Sequence, residues 1–151
     1  MNDGRQAGGQ GQVGQGKTRT LAQVLGDEAE ARAAQYFEER GFTIHERKFT
    51  SPSQLGEVDL IVGKGLILAF VEVRYRASNG FGRPEETVTS AKRRKVILAA
   101  YDWCRRNGLM DQRYIRFDVV AVTGRGERAR LLHIEDAFDA ELPRLAPSPF
   151  L

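Results

Sequence analysis

The sequence predicts an α/β protein in which a mixed central sheet is flanked by helices, with the elements in the order α-β-β-β-α-β. Apolar residues recur at helical spacing in residues 21–40 and 89–107, which predicts two long helices. Alternating or continuous apolar runs bounded by turn residues lie between and after them and are typical of strands. Residues 66–71 are apolar at every position, as in a strand covered on both faces. Helices should therefore pack on both sides of the sheet.

The helix boundaries follow from capping residues. The first helix should end before Gly41, since glycine is a common helix stop. The second should begin after Thr89 or Ser90, either of which can cap it, and end before Gly108. Predicted strands cover residues 42–49, 57–62, 66–75 and 114–122, with a short edge strand at 130–133 and a last short helix at 135–142.

The composition indicates one soluble domain. The 151 residues suffice for a single core, and we divide them into a disordered Gly- and Gln-rich tail (1–19), one domain (20–143) and a Pro-containing C-terminal tail (144–151). No apolar stretch approaches the roughly 20 residues that span a membrane, and no secretory signal is visible, so we expect a cytoplasmic protein without a membrane partner. Cys104 is the only cysteine and is interpreted as a buried packing residue.

Positive charge is concentrated in one part of the chain. The net charge is only +3, but residues 74–106 contain nine Lys or Arg against three acidic residues. Four of these cations, residues 92–95, stand at the start of the second helix, where the helix dipole opposes them. This segment is either a surface for an anionic partner or a solvated helix face.

Glu72 is unusual because it directly follows the apolar run of a buried strand. If Lys64 and Gly65 form a two-residue turn, counting outward places Asp59 opposite Phe70 and diagonal to Glu72. Under that register four polar residues share one face of the sheet. They are Glu57, Asp59, Glu72 and Arg74.

Carboxylates that face one another in a core repel and lose hydration, which costs several kcal/mol per ion unless a cation compensates. A divalent cation such as Mg²⁺ prefers oxygen ligands and is commonly held by one or two carboxylates plus phosphate oxygens. The alternative is that Glu72 forms a salt bridge with Arg74, Arg76 or Arg47 at the end of the sheet.

Several stretches resemble a known family. GEVDLI (56–61) with FVEVRYR (70–76) is similar to the Asp…(Asp/Glu)-x-Lys signature of the restriction-endonuclease superfamily. More closely, the chain resembles the YraN family of bacterial proteins, distantly related to archaeal Holliday-junction resolvases. The other stretches that carry the resemblance are AEARAAQYFEERGF (29–42), FGRPEETVTSAKRRK (81–95) and IRFDVVAV (115–122). The resemblance implies a restriction-endonuclease-like core.

The resemblance also implies the members of a metal site. Asp59 and Glu72 match the metal ligands, and Glu57 matches the Gly-Glu-x-Asp of the family and would support the ion through a bound water. Glu30 matches an acidic residue that the superfamily often places on its first helix. The implied cofactor is Mg²⁺ or Mn²⁺.

Arg74 departs from the superfamily signature, which has lysine at this position. Arginine is effectively always protonated, so it can stabilise negative charge but cannot help to deprotonate water. The lysine role would then pass to Lys92, which matches a lysine in the Thr-x-x-Lys run of the family, or be unnecessary.

The implied activity is hydrolysis of phosphodiester bonds in structured or branched DNA, with the basic segment contacting phosphates. The residues expected to make these contacts are Arg83, Lys92, Arg93, Arg94 and Lys95. Two alternatives stay open: a nuclease fold that binds DNA without turnover, and a protein-interaction adaptor. A homodimer is kept as an alternative to a monomer.

Overall fold

The computed structural model describes residues 16–78, 82–110 and 113–140. In these residues five strands form one mixed sheet in the order β1-β2-β3-β4-β5. The bounds are α1 Leu21–Glu39, β1 Thr43–Thr50, β2 Glu57–Lys64, β3 Ile67–Arg76, α2 Ser90–Arg106, β4 Tyr114–Thr123 and β5 Arg130–Ile134, with short 3-10 helices at Pro84–Thr87 and Gly126–Arg128. The predicted α/β fold class and element order are confirmed. The predicted C-terminal tail and most of the N-terminal tail lie outside the described residues.

Both long helices begin at side-chain caps. Thr20 and Gln23 form a reciprocal capping box at the start of α1. Thr89 caps α2 by accepting a hydrogen bond from the backbone N–H of Lys92 at 3.2 Å. Among the described residues, no helix combines the length and the apolar content needed to cross a lipid bilayer.

The two helices cover opposite faces of the sheet. Leu68 and Phe70 of β3 belong to the core that includes the apolar face of α2, whereas Ala69 and Val71 belong to the core under α1. Alternation along β3 therefore assigns its even-numbered residues to the α2 side. Glu72 continues this even-numbered set.

The β2–β3 turn differs from the prediction. Lys64 pairs with Ile67 and Gly63 with Leu68, so Gly65 and Leu66 form the turn instead of Lys64 and Gly65. Gly65 has φ +58°, the left-handed conformation that tight hairpins require at the first central position. The register moves by two residues, so the faces are unchanged, but Asp59 now lies opposite Glu72 by count instead of diagonal to it.

The predicted last helix at 135–142 is wrong for its described part, since residues 135–140 contain no helix. Two hydrogen bonds hold this segment against β4. The backbone N–H of Ala137 donates to the Phe117 carbonyl at 2.7 Å, and that of Asp136 donates to the Asp118 carboxylate at 3.0 Å. Phe138 stacks on Phe117 at 5.3 Å between ring centroids. Tertiary contacts thus override the local helical pattern.

Candidate metal centre and nucleic-acid surface

The candidate site lies where β2 and β3 separate. Their pairing ends at Leu60 and Val71. Beyond that point β2 continues beside β1, and β3 continues beside β4. Asp59 lies in this fork, and its Oδ2 accepts a hydrogen bond from the Val73 backbone N–H at 2.8 Å. The carboxylate thus takes the place of a backbone acceptor and is fixed between the two strands.

Glu72 is the most buried carboxylate of the fork, with 2% of its surface exposed. Burial and then the negative charge of Asp59 raise the pKa of Glu72 to about 8, against the opposing charges of Lys92 and Arg74. Its Oε2 is buried without a hydrogen-bond partner among the described residues. Such an atom is costly to leave unpaired in a folded protein.

Glu30 approaches the same fork from α1. Burial raises its pKa, and the charge of Asp59 adds to the effect. Lys48 of β1 opposes this shift, with its Nζ 3.5 Å from Glu30 Oε2. Three carboxylates from α1, β2 and β3 therefore interact electrostatically around Asp59.

Lys92 reaches the fork from α2. Its Nζ donates to Glu57 Oε1 at 2.8 Å and lies 3.5 Å from Glu72 Oε1. Burial alone would lower the pKa of Lys92, but the hydrogen bond to Glu57 and the nearby carboxylate charges outweigh it and raise the pKa. The same hydrogen bond lowers the pKa of Glu57. Lys92 is therefore a stable ammonium in this arrangement, and Glu57 is its partner.

Gly56 allows α2 to lie this close. A Cβ added at Gly56 would be 2.5 Å from the backbone nitrogen of Ala99 and 2.9 Å from its Cα. Backbone atoms in a helix cannot yield as a flexible side chain can. Because Glu57 and Asp59 follow directly on β2, this contact sets the distance between the carboxylates and the lysine of α2.

The remaining predicted residues differ in their availability. Arg74 Nη1 is 4.0 Å from Glu72 Oε1, so it lies at the edge of the site. Arg93 donates hydrogen bonds to the carbonyls of Glu85 and Val88, and its guanidinium lies over the Phe138 ring. These contacts hold the guanidinium against the protein. Arg83, Arg94 and Lys95 are exposed, and Lys95 Nζ lies 3.9 Å from Glu57 Oε1.

The carboxylates satisfy one requirement of a divalent ion, since Glu72 Oε2 is buried and has no hydrogen-bond partner in the part of the chain that the structure describes. Within residues 16–78, 82–110 and 113–140, however, no three His, Cys, Asp or Glu side chains form a ready-made ion-binding group. An ion here would rest on Asp59 and Glu72, completed by water and phosphate oxygens. Two carboxylates with water and phosphate suit Mg²⁺, which retains water and rarely occupies all-protein cages. On this observation the residues fit the ion.

Sequence reasoning missed a buried network on the other face of the sheet. Asp118 is fully buried and accepts two hydrogen bonds from Arg116, at 2.8 and 2.9 Å, and one from His133 Nε2 at 2.7 Å when that nitrogen carries the proton. His133 Nδ1 lies 3.1 Å from the Tyr36 hydroxyl of α1. In the sequence, the only sign of the Arg116–Asp118 ion pair is that the two residues stand two positions apart on β4 and so share a face of the sheet. The network joins α1, β4 and β5 and is consistent with a structural histidine.

The second residue that sequence reasoning missed is Lys48. By the β1–β2 register it lies opposite Asp59, and its backbone has φ +50°, which is uncommon for a residue other than glycine. Nothing in the local sequence Arg47-Lys48-Phe49 indicates this conformation. It can be found only from the folded backbone.

A mixed sheet with helices on both faces defines an α/β protein whose core is compatible with the nuclease-like arrangement. The profile of the uncharacterised protein family UPF0102 matches residues 29–122, and the chain belongs to this family. A UPF0102 protein of Anaeromyxobacter dehalogenans (strain 2CP-C) is 47% identical over 135 residues, 89% of this chain and 95% of the relative. A relative from Rhodococcus jostii (strain RHA1) is 44% identical over 76% of this chain and 96% of its own length. A third, from Myxococcus xanthus (strain DK1622), is 38% identical over 76% and 89%.

Proposed function

We propose that this protein is a Mg²⁺- or Mn²⁺-dependent endonuclease that hydrolyses phosphodiester bonds in structured or branched DNA in the cytoplasm. The observation that carries the proposal is the buried Glu72 carboxylate, which by strand count lies opposite Asp59 and has one oxygen without a hydrogen-bond partner among the described residues. A structural salt bridge alone is a poor explanation, because Arg74 is 4.0 Å away and Lys92 is 3.5 Å away from the other oxygen.

Asp59 and Glu72 would hold the ion. When bound, a divalent ion polarises the phosphodiester and lowers the pKa of its water. The hydrogen bond from Val73 fixes the orientation of Asp59, so the acceptor geometry exists before substrate arrives. Glu30, on the α1 side of the fork, is placed to accept a hydrogen bond from water beside the ligands.

The two cations have different roles. Lys92 is held beside Glu72 by Glu57 and donates hydrogen bonds, so it can orient an attacking water or neutralise the non-bridging phosphate oxygens. Arg74 is more exposed, with 38% of its side chain accessible, and is suited to stabilise the negative charge of the transition state. Neither cation is placed to act as a general base while it is protonated.

Nucleic acid would approach over the start of α2. Arg94, Lys95 and the preceding Arg83 are exposed, Lys95 lies 3.9 Å from Glu57, and these cations would contact phosphates. No element of the described residues resembles a base-reading motif, so we expect recognition of backbone and structure. A homodimer, which would offer one site to each of two strands, is checked by sedimentation with and without DNA.

The direct test is cleavage of branched and flapped DNA, with Mg²⁺ or Mn²⁺, by the wild type and by Asp59→Asn and Glu72→Gln. We expect both variants to lose turnover by at least two orders of magnitude while retaining the fold. Control variant Asp102→Asn removes a carboxylate from α2 away from the fork and should cleave normally. Equal cleavage by wild type and Asp59→Asn would assign the activity to a contaminant or another site.

A second candidate is a DNA-binding module with no turnover, favoured by Arg74 and by the raised pKa of Lys92. It predicts salt-sensitive DNA binding without Mg²⁺-dependent cleavage, and a gain of cleavage in Arg74→Lys. The adaptor alternative predicts no DNA binding at low salt and no effect of Asp59→Asn.

A further inference from the structure

A second charged groove leads away from the carboxylate fork on the side opposite α2. It has a volume of about 670 Å³ and is bounded by residues 17–20, the first turns of α1 and Lys48 of β1. Glu30 lines it and also interacts with Asp59 of the fork, and Lys48, another lining residue, lies opposite Asp59 by the β1–β2 register. The groove therefore shares two residues with the surroundings of Asp59.

The cations of the groove are fixed but accessible. Arg19 and Lys48 both form ion pairs with Asp27, yet 57% and 59% of their side chains are exposed. Lys17 adds a third cation to the lining. Anchored side chains that still face solvent lose less conformational freedom when they contact a ligand.

Gly26 of α1 is an independent sign that the groove is kept open. It lies inside the helix, where glycine is unfavourable. No atom within 4 Å would contact a Cβ added there, so packing does not require glycine. Because Gly26 lines the groove, any larger side chain would project into it.

The backbone conformation of Lys48 is the third observation that supports a functional groove. Its left-handed backbone, φ +50°, is unfavourable for a residue with a Cβ. Lys48 nevertheless lies opposite Asp59 and directs its ammonium to Glu30 and Asp27, into the groove. Strained residues of this kind concentrate at functional sites.

We propose that this groove binds the sugar-phosphate backbone of one DNA strand as it leaves the fork, with Lys48 and Arg19 contacting phosphates. The proposal rests on the proposed function and adds the path of the substrate. The fork then lies between two surfaces that carry exposed cations, the groove and the start of α2. A strand that crosses both would bend around the carboxylates, which suits branched or flapped DNA better than a straight duplex.

The test is equilibrium binding of a fluorescent flapped DNA in EDTA across a salt series, where no cleavage occurs. The slope of log K against log salt is negative, and Lys48→Gln and Arg19→Gln should each reduce its magnitude by about 0.7–0.9, the value for one lost phosphate contact. Gly26→Glu should weaken binding several-fold although it removes no cation. Arg105→Gln, which removes an exposed cation at the distal end of α2, is the matched control and should leave the slope unchanged.

Lys48→Gly separates a binding role from a structural one. Glycine relieves the left-handed backbone, so this variant should show a higher urea midpoint than Lys48→Gln while binding DNA equally weakly. If Lys48→Gln, Arg19→Gln and Gly26→Glu all bind with the wild-type slope and affinity, the groove is not the path, although DNA binding through α2 would stand. If the wild type itself binds no DNA at low salt, the proposed function falls together with the groove.

Discussion

Replacing Glu72 by glutamine should change how the stability of the metal-free protein depends on pH. Glutamine keeps the size of the side chain and can donate where a protonated carboxyl does, but it does not titrate. Glu72 has a pKa of about 8 in the folded protein against 4.5 as its reference value. Between these values the folded state binds one proton more than the unfolded state.

The difference in bound protons sets the direction in which stability changes with pH. The stabilisation associated with the Glu72 proton is complete below pH 4.5 and is lost as the pH rises through about 8. Each pH unit removes about 1.4 kcal/mol from the free energy of unfolding, or roughly 5 kcal/mol over the whole interval. The wild type should therefore lose stability relative to Glu72→Gln as the solution becomes basic.

The assay is urea unfolding in EDTA at intervals from pH 5 to pH 8.5, with the two proteins compared at each pH. Subtracting the two profiles removes the contribution of the titrating groups that do not interact with Glu72. Glu46→Gln, at an exposed position of β1, serves as the control and should run parallel to the wild type. Parallel profiles for wild type and Glu72→Gln would refute the claim that burial beside Asp59 holds the proton on Glu72.

Two further substitutions test the packing of the sheet. Asp118→Asn should destabilise the protein by about 3–5 kcal/mol in urea unfolding at pH 7, because it removes the buried charge partner of Arg116 and leaves only the exposed Glu135 beside it. A loss below 1 kcal/mol would contradict this. Burial alone would raise the pKa of Asp118, but hydrogen bonds from His133 and Arg116 outweigh it and lower the pKa. The stabilisation that the Asp118 carboxylate gives should therefore be present above pH 3.8 and disappear as the pH falls through its folded pKa. Acid unfolding that is identical in the wild type and Asp118→Asn would contradict this. Gly56→Ala should lower the free energy of unfolding by about 1–3 kcal/mol, because the new Cβ meets the α2 backbone. Gly126→Ala serves for comparison: a Cβ there has no atom within 4 Å, so its cost comes only from the left-handed backbone at φ +57°.

The sheet and the helices were predictable because each pattern had one dominant cause. The all-apolar run ending at Val71 required cover on both faces, and the glycine and threonine at the helix ends supplied direct stop and cap signals. The 135–142 helix failed because hydrogen bonds to Phe117 and Asp118, distant in sequence, decide that backbone. Local helix propensity does not reflect contacts between residues that are distant in sequence.

The register error had a limited effect on the predicted site. Side-chain alternation survives a two-residue change of register, so the strand count still relates Asp59 to Glu72 even though the turn was misplaced. The strand fork, the left-handed Lys48 and the engagement of Glu57 by Lys92 depend on where β2, β3 and α2 meet. None of them has a period or a motif in the sequence.

The lysine of α2 also explains how two carboxylates fold together in the absence of an ion. Lys92 lies 3.5 Å from Glu72 Oε1 and is fixed by Glu57, so it supplies part of the positive charge that a divalent ion would add. In EDTA, Lys92→Gln should therefore lower the free energy of unfolding by about 1–3 kcal/mol, while the exposed Lys95→Gln should have little effect. Saturating Mg²⁺ should remove most of the Lys92→Gln penalty, because the ion replaces the missing charge on Glu72. A penalty of equal size with and without Mg²⁺ would mean that lysine and ion do not serve the same carboxylate, and the metal centre would have to be sought elsewhere in the fold.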